Sequence, residues 1–123
     1  MKKVITISQG GKICYPRIEM ASNFRQRFWG LMGRGGLVEG TGLLLKHCSS
    51  IHTCFMKFPI DVVYLDHSFK VLDVETVRPW KLGSLIKGAR HVLELPEYAG
   101  DQLKRGYPIT LAPYGSFEDN NQY

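Results

Sequence analysis

Apolar and polar residues alternate along this chain in short runs, with one departure toward helical spacing. Val4 to Ile7 reads as a strand, Gln9-Gly10-Gly11-Lys12 as a turn and Ile13 to Met20 as a second strand, which predicts a hairpin. Pro16, inside the second run, has no N–H to give a ladder and predicts an edge position or a bulge. Ser22 or Asn23 then opens a helix over residues 23–33. Asn23 and Gln26 have capping-box spacing, and Phe24, Phe28, Leu31 and Met32 fall on one stripe. Gly33, Gly35 and Gly36 end it.

After a loop at 37–42, Leu43 to Lys46 reads as a short strand entering the core. Ile51 to Lys57 and Ile60 to Leu65 read as strands flanking Phe58-Pro59, and Asp66-His67-Ser68 as a turn. Phe69 to Val77 alternates and predicts a hairpin with the strand before it. Residues 78–89 read as loop, Arg90 to Leu95 as a strand stopped by Pro96, and Tyr98 to Gly106 as a turn or short helix. Ile109 to Ala112 reads as the last strand, and residues 114–123 as a flexible tail. Many short strands with one substantial helix near residues 23–33 predict a mainly β, α+β fold. Its architecture is expected to be a single compact curled sheet, barrel- or sandwich-like.

Composition narrows this picture. A chain of 123 residues, 44% of them hydrophobic, fits one globular domain over residues 1–123. Met1-Lys2-Lys3 is followed by a short apolar stretch, whereas a secretory signal needs an apolar core of ~7–15 residues. No apolar run reaches the ~18 residues of a spanning helix. A cytoplasmic location without membrane partners is therefore expected. Three cysteines fit a reducing compartment, with a Cys48–Cys54 redox pair as the alternative. The formal charge of +5 is spread out, densest at Arg25, Arg27 and Arg34. A solvated basic face accounts for it, and weak RNA binding through the helix face is the competing reading.

The chemistry concentrates between Cys48 and Asp66. Asp61 lies inside F-P-I-D-V-V-Y-L, where burial costs about 1–3 kcal/mol unless the polar group is paired. Three arrangements compete for these residues. His47, Cys48, His52 and Cys54 are a nominal metal-ligand set, but adjacent residues on an extended chain point apart. His52, Cys54 and Met56 share one face and would suit Cu(I), or are plain core. Cys48 and His52 could instead form a thiolate–imidazole pair oriented by Asp61, against an inert buried thiol. Finally, Arg34, Asp61 and Glu94 form either a buried ion-pair network or an open pocket in which Arg34 anchors an anion. Trp80, in a loop after a strand, either stacks on a ligand or plugs the open end of a small barrel. The chain has no P-loop, dinucleotide fingerprint, zincin motif or nucleophile elbow, and no cofactor is expected.

Four motifs stand in order: G-L-M-G-R (Gly30 to Arg34), I-H-T-C-F-M-K-F-P-I-D-V-V-Y-L-D (Ile51 to Asp66), R-P-W (Arg78 to Trp80) and V-L-E-L-P (Val92 to Pro96). Together they resemble the domain of unknown function 192 family over roughly residues 17 to 112. The resemblance implies a small, mostly β domain with no established activity. It places Arg34, Met56, Pro59, Asp61, Asp66, Glu94 and Pro96 in motif positions. Cys48, His52 and Trp80 match one branch of the family. Cys54 departs from the pattern, which often has an aromatic there. The expectation is a binding or accessory module for a small polar or anionic ligand, or for a protein partner. Arg34, His52, Asp61, Trp80 and Glu94 would line its site. A small enzyme or metal site using Cys48 and His52 is the alternative.

Overall fold

A computed structural model describes residues 3–21, 38–51 and 58–115. The strands are β1 (Lys3–Gln9), β2 (Lys12–Ala21), β3 (Thr41–Leu45), β4 (Ile60–Leu65), β5 (Val71–Val77), β6 (His91–Pro96) and β7 (Thr110–Pro113). They form one seven-stranded mixed sheet in the order β5-β4-β6-β3-β2-β1-β7. All neighbours are antiparallel except β2 and β3, which pair in parallel from Arg17 opposite Thr41 to Ala21 opposite Leu45. A parallel pair cannot be joined by a tight hairpin turn, and β2 and β3 are accordingly separated by 19 residues in the sequence.

The mainly β expectation holds, and its finer form needs correction. Among the described residues the sheet neither closes into a barrel nor packs on a second sheet as a sandwich. Its two ends meet over one short stretch, where Lys70 bridges Pro108 and the Val71 N–H donates to the Tyr107 carbonyl at 3.0 Å. The helix expected near residues 23–33 lies outside the described residues, as do residues 52–57 of the expected strand after Ile51. Among the described residues the helical structure is one 3-10 turn, Ala99–Gln102.

Pro16 sits in a bulge rather than at an edge. The pairing jumps from Ile5 opposite Ile18 to Ile7 opposite Tyr15, so β2 spends one more residue than β1 there. The Thr6 hydroxyl donates to the Pro16 carbonyl at 2.7 Å, and the Arg17 N–H to that of Gly40 at 3.2 Å.

Central strands β4 and β6 read as near-continuous apolar runs because both of their faces are buried. One face joins Val63, Leu65, Leu93 and Leu95 to Ile5, Ile7, Tyr15 and Ile18. The other joins Val62, Tyr64 and Val92 to Leu43, Leu45 and Ile51. Burying side chains of this size stabilises by about 1.5–3 kcal/mol each, so these two strands anchor everything attached to them.

Candidate functional site

Asp61 is the second residue of β4, opposite Thr76 on β5 and Leu95 on β6. Its carboxylate is only 1% exposed, and the cost of burying it is met by two donors. Oδ1 accepts from the Thr76 hydroxyl at 2.7 Å, and Oδ2 from the Gly100 N–H at 2.9 Å. The carboxylate thus docks the 3-10 turn onto the sheet. Gly100 permits this approach: a Cβ there would lie 2.6 Å from Val74 Cγ1 and 3.0 Å from Asp61 Oδ2. Tyr98 enters the turn in the left-handed region, at φ 69°.

Above this carboxylate opens a cleft of about 650 Å³, lined by Asp61, Thr76, Gly100, Lys104, Arg105 and Tyr107 among others. Its rim carries both signs, with Glu75 and Asp101 lining it beside Lys104 and Arg105, and the 104–107 turn is held in place. The Gln9 amide donates to the carbonyls of Lys104 (3.0 Å) and Tyr107 (3.2 Å) and accepts from the Lys104 N–H at 2.8 Å. Arg105 reaches Asp73 at 2.9 Å and the Val74 carbonyl at 3.2 Å, with its side chain 62% exposed. A second cleft, of about 730 Å³, lies beyond the same turn, with Lys12, Cys14, Gln102 and Thr110 in its walls. Lys104 and Tyr107 belong to both.

The structure separates Asp61 from Glu94. Glu94 pairs with Val62, one residue after Asp61, so the two acids project from opposite faces of the sheet. Glu94 is 1% exposed and lies on the face of Val62 and Leu43. On that same face, Glu75 accepts from the Ser84 N–H at 3.1 Å. Burial, with the Glu75 carboxylate beside it, pushes the Tyr64 phenol above its ordinary range. Trp80 is 61% exposed with φ 63°, so it does not plug an open end of the sheet. Neither Trp80 nor Glu94 lines the cleft over Asp61.

Cys48 is half-buried against the second core, and its thiol donates to the Ser50 carbonyl at 2.9 Å. Arg34, His52 and Cys54 lie outside the described residues. Among the described residues no group of three or more His, Cys, Asp or Glu side chains is gathered as a metal would need. Asp66 closes its turn by accepting from the Ser68 and Lys70 N–H groups at 2.8 and 2.9 Å. The bond from Lys70 is the main reason its carboxyl lies below the ordinary range.

Sequence reasoning assigned no site role to His91, Gln9 or the Lys104–Tyr107 turn. His91 is 6% exposed, stacks on Phe69 at 4.5 Å and accepts from the His47 N–H at its Nδ1, 3.1 Å away. Burial first, then the charges of His47 and Lys46, hold its imidazole below the ordinary value. A histidine at the head of an apolar strand was a visible signal. Gln9 sits in a turn motif and gave none.

A small mixed-sheet domain with a buried carboxylate under an open cleft whose rim carries both signs of charge is the class these features define. The chain belongs to the domain of unknown function 192 family, described as "Uncharacterized ACR", whose profile matches residues 5–109. Among its relatives, the UPF0127 protein of Thermococcus sibiricus is 34% identical over 90 residues, which is 70% of this chain and 58% of that protein. The chain thus spans less than two thirds of that relative. The UPF0127 protein PH1112 of Pyrococcus horikoshii is 36% identical over 90 residues, 71% of this chain and 78% of its own. In fold, the chain is similar to a protein of unknown function from Novosphingobium aromaticivorans. There the TM-score is 0.71 at 17% identity, covering 89% of this chain and 84% of that one. A proposed transcription regulator from Sinorhizobium meliloti gives 0.68 at 17% identity, covering 92% and 94%. Likeness at that identity shows the fold alone. No helix among the described residues is long and apolar enough to cross a membrane.

Proposed function

We propose that this domain is a binding or accessory module that takes a small polar ligand bearing an anionic group in the cleft over Asp61. The observation that carries this reading is the cleft itself. It has about 650 Å³ of space over a buried carboxylate whose two oxygens are already engaged, with Lys104 and Arg105 on a rim that also carries Glu75 and Asp101. That volume lies within the roughly 300–1,000 Å³ range of small-molecule sites. Asp61 serves here as scaffold, and the cations do the recognition. Arg105 is available for the task because an exposed ion pair such as Arg105–Asp73 contributes only about 0–1 kcal/mol, so an incoming carboxylate or phosphate can take the guanidinium from it. Tyr107, 61% exposed, offers a ring face beside them. Arg34 and His52, in motif positions of the sequence, belong to the same reading and have their own test in Arg34→Ala.

The test is calorimetric titration of the full chain with inorganic phosphate and with succinate, repeated on Lys104→Ala/Arg105→Ala. Both side chains are on the surface, so the variant is expected to fold. Saturable binding that weakens at least about ten-fold in the variant supports the reading. Binding unchanged in the variant, or no binding of either anion, refutes it.

A further inference from the structure

We propose that the loop between β5 and β6, residues 78–90, docks this domain reversibly onto an anionic lipid surface. This proposal is independent of the cleft over Asp61. Three large apolar side chains stand out from the loop: Trp80 is 61% exposed, Leu82 80% and Leu85 86%. Between and around them Arg78, Lys81, Lys87 and Arg90 are exposed, and residues 78–90 contain no carboxylate. Apolar side chains interleaved with charge of one sign are what an interfacial segment needs.

The exposure is fixed by structure. The Gly83 N–H donates to the Ile51 carbonyl at 2.9 Å, and the Ser84 N–H donates to Glu75 at 3.1 Å. The Arg90 N–H closes the loop on the Leu65 carbonyl at 2.7 Å. Gly83 faces inward, so close that a Cβ would lie 2.6 Å from the Tyr64 hydroxyl. Ile86 and Ala89 also turn inward, onto the second core. Leu82 and Leu85 are the residues immediately before two of these anchors, and the anchoring is what turns them out.

The three side chains are exposed and line neither of the two clefts. A fluid lipid interface accepts such side chains without a matching pocket, and tryptophan favours the headgroup level. Three apolar side chains alone give weak attachment. Each cation near an anionic membrane adds attraction, and the two signals together make reversible binding. No spanning segment is required. An acidic protein segment would use the same charges, and the experiment below distinguishes it.

The experiment is co-sedimentation of the full chain with vesicles of phosphatidylcholine alone and of equal parts phosphatidylcholine and phosphatidylserine, at low and high salt. It is repeated on Leu82→Ser/Leu85→Ser and on Lys81→Glu/Lys87→Glu, and circular dichroism checks that each variant is folded. The expected result is preferential binding to the mixed vesicles, weakened by salt and lowered at least about ten-fold in each variant. A blue shift of tryptophan emission on binding, absent in Trp80→Phe, would place that side chain in the interface. Failure to bind the mixed vesicles would overturn the proposal, as would binding that survives the leucine changes. Saturable binding of a polyglutamate peptide without vesicle binding would overturn it too, and would assign the face to an acidic protein partner.

Discussion

Replacing Asp61 by alanine and by asparagine separates geometry from charge at the centre of the fold. In Asp61→Ala the Gly100 N–H, which is buried, loses its acceptor, at a cost of about 1–3 kcal/mol. The Thr76 hydroxyl also loses its partner, but Thr76 is exposed and water replaces the carboxylate. Loss of the side chain's packing contacts beneath the cleft brings the total to about 2–4 kcal/mol. Asp61→Asn is different. Its amide oxygen can take the Gly100 N–H, and its NH₂ can donate to the Thr76 hydroxyl, which turns from donor to acceptor. The cost of that change is expected to be about 1 kcal/mol or less. Urea unfolding followed by circular dichroism, with unchanged slope, reads the difference directly. Asp61→Ala should lower the melting temperature by roughly 10 °C. Equal losses in the two variants would refute the argument, because the negative charge, not the hydrogen-bond geometry, would then be holding the turn. Equal retention of stability would mean that the turn does not depend on Asp61 at all.

Gly100→Ala should destabilise by about 1–3 kcal/mol through the clash with Val74, and adding Val74→Ala should recover part of the loss in a double-mutant cycle. His91 has a folded pKa below its ordinary 6.5, so its contribution is intact above that value and is lost as pH falls through the folded pKa. The urea midpoint should therefore decline on the acid side of 6.5, and His91→Gln should flatten that decline; an unchanged slope would show that other groups cause it. Gln9→Ala should release the 104–107 turn. Exchange of the Lys104 amide should speed up at least about ten-fold while amides in β4 and β6 keep their protection.

Much of the strand pattern was legible because hydrophobic runs report burial. β4 and β6 stood out as apolar stretches, and Pro16 pointed to an edge or a bulge, of which the pairing shows the bulge. Asp61 was legible as a buried acid because its neighbours left no other place for it. Its partners were not, since Thr76 and Gly100 lie 15 and 39 residues away and only strand pairing brings them near. The Gln9 clamp spans 95 residues to Lys104 and has no local signature at all. The separation of Asp61 from Glu94 depends on a register of single residues, and a sequence pattern does not fix how two strands slide past each other. The curl of the sheet was anticipated, but whether its ends would close depended on pairings around residues 69–71 and 106–109 that no periodicity encodes.

The place of β1 in the sheet has a consequence for synthesis. It lies between β2 and β7, with Ile5 opposite Pro113 and Ser8 opposite Thr110. β1 leaves the ribosome before both of its partners and can pair on one side as soon as β2 follows it, yet its other edge stays bare until residues 110–113 have been made. A nascent chain thus carries an open strand edge while residues 22–109 are being made, and such an edge is a template for pairing with other chains. A chain stalled before Thr110 should be markedly more prone to aggregate, or to hold a chaperone, than one stalled beyond Pro113.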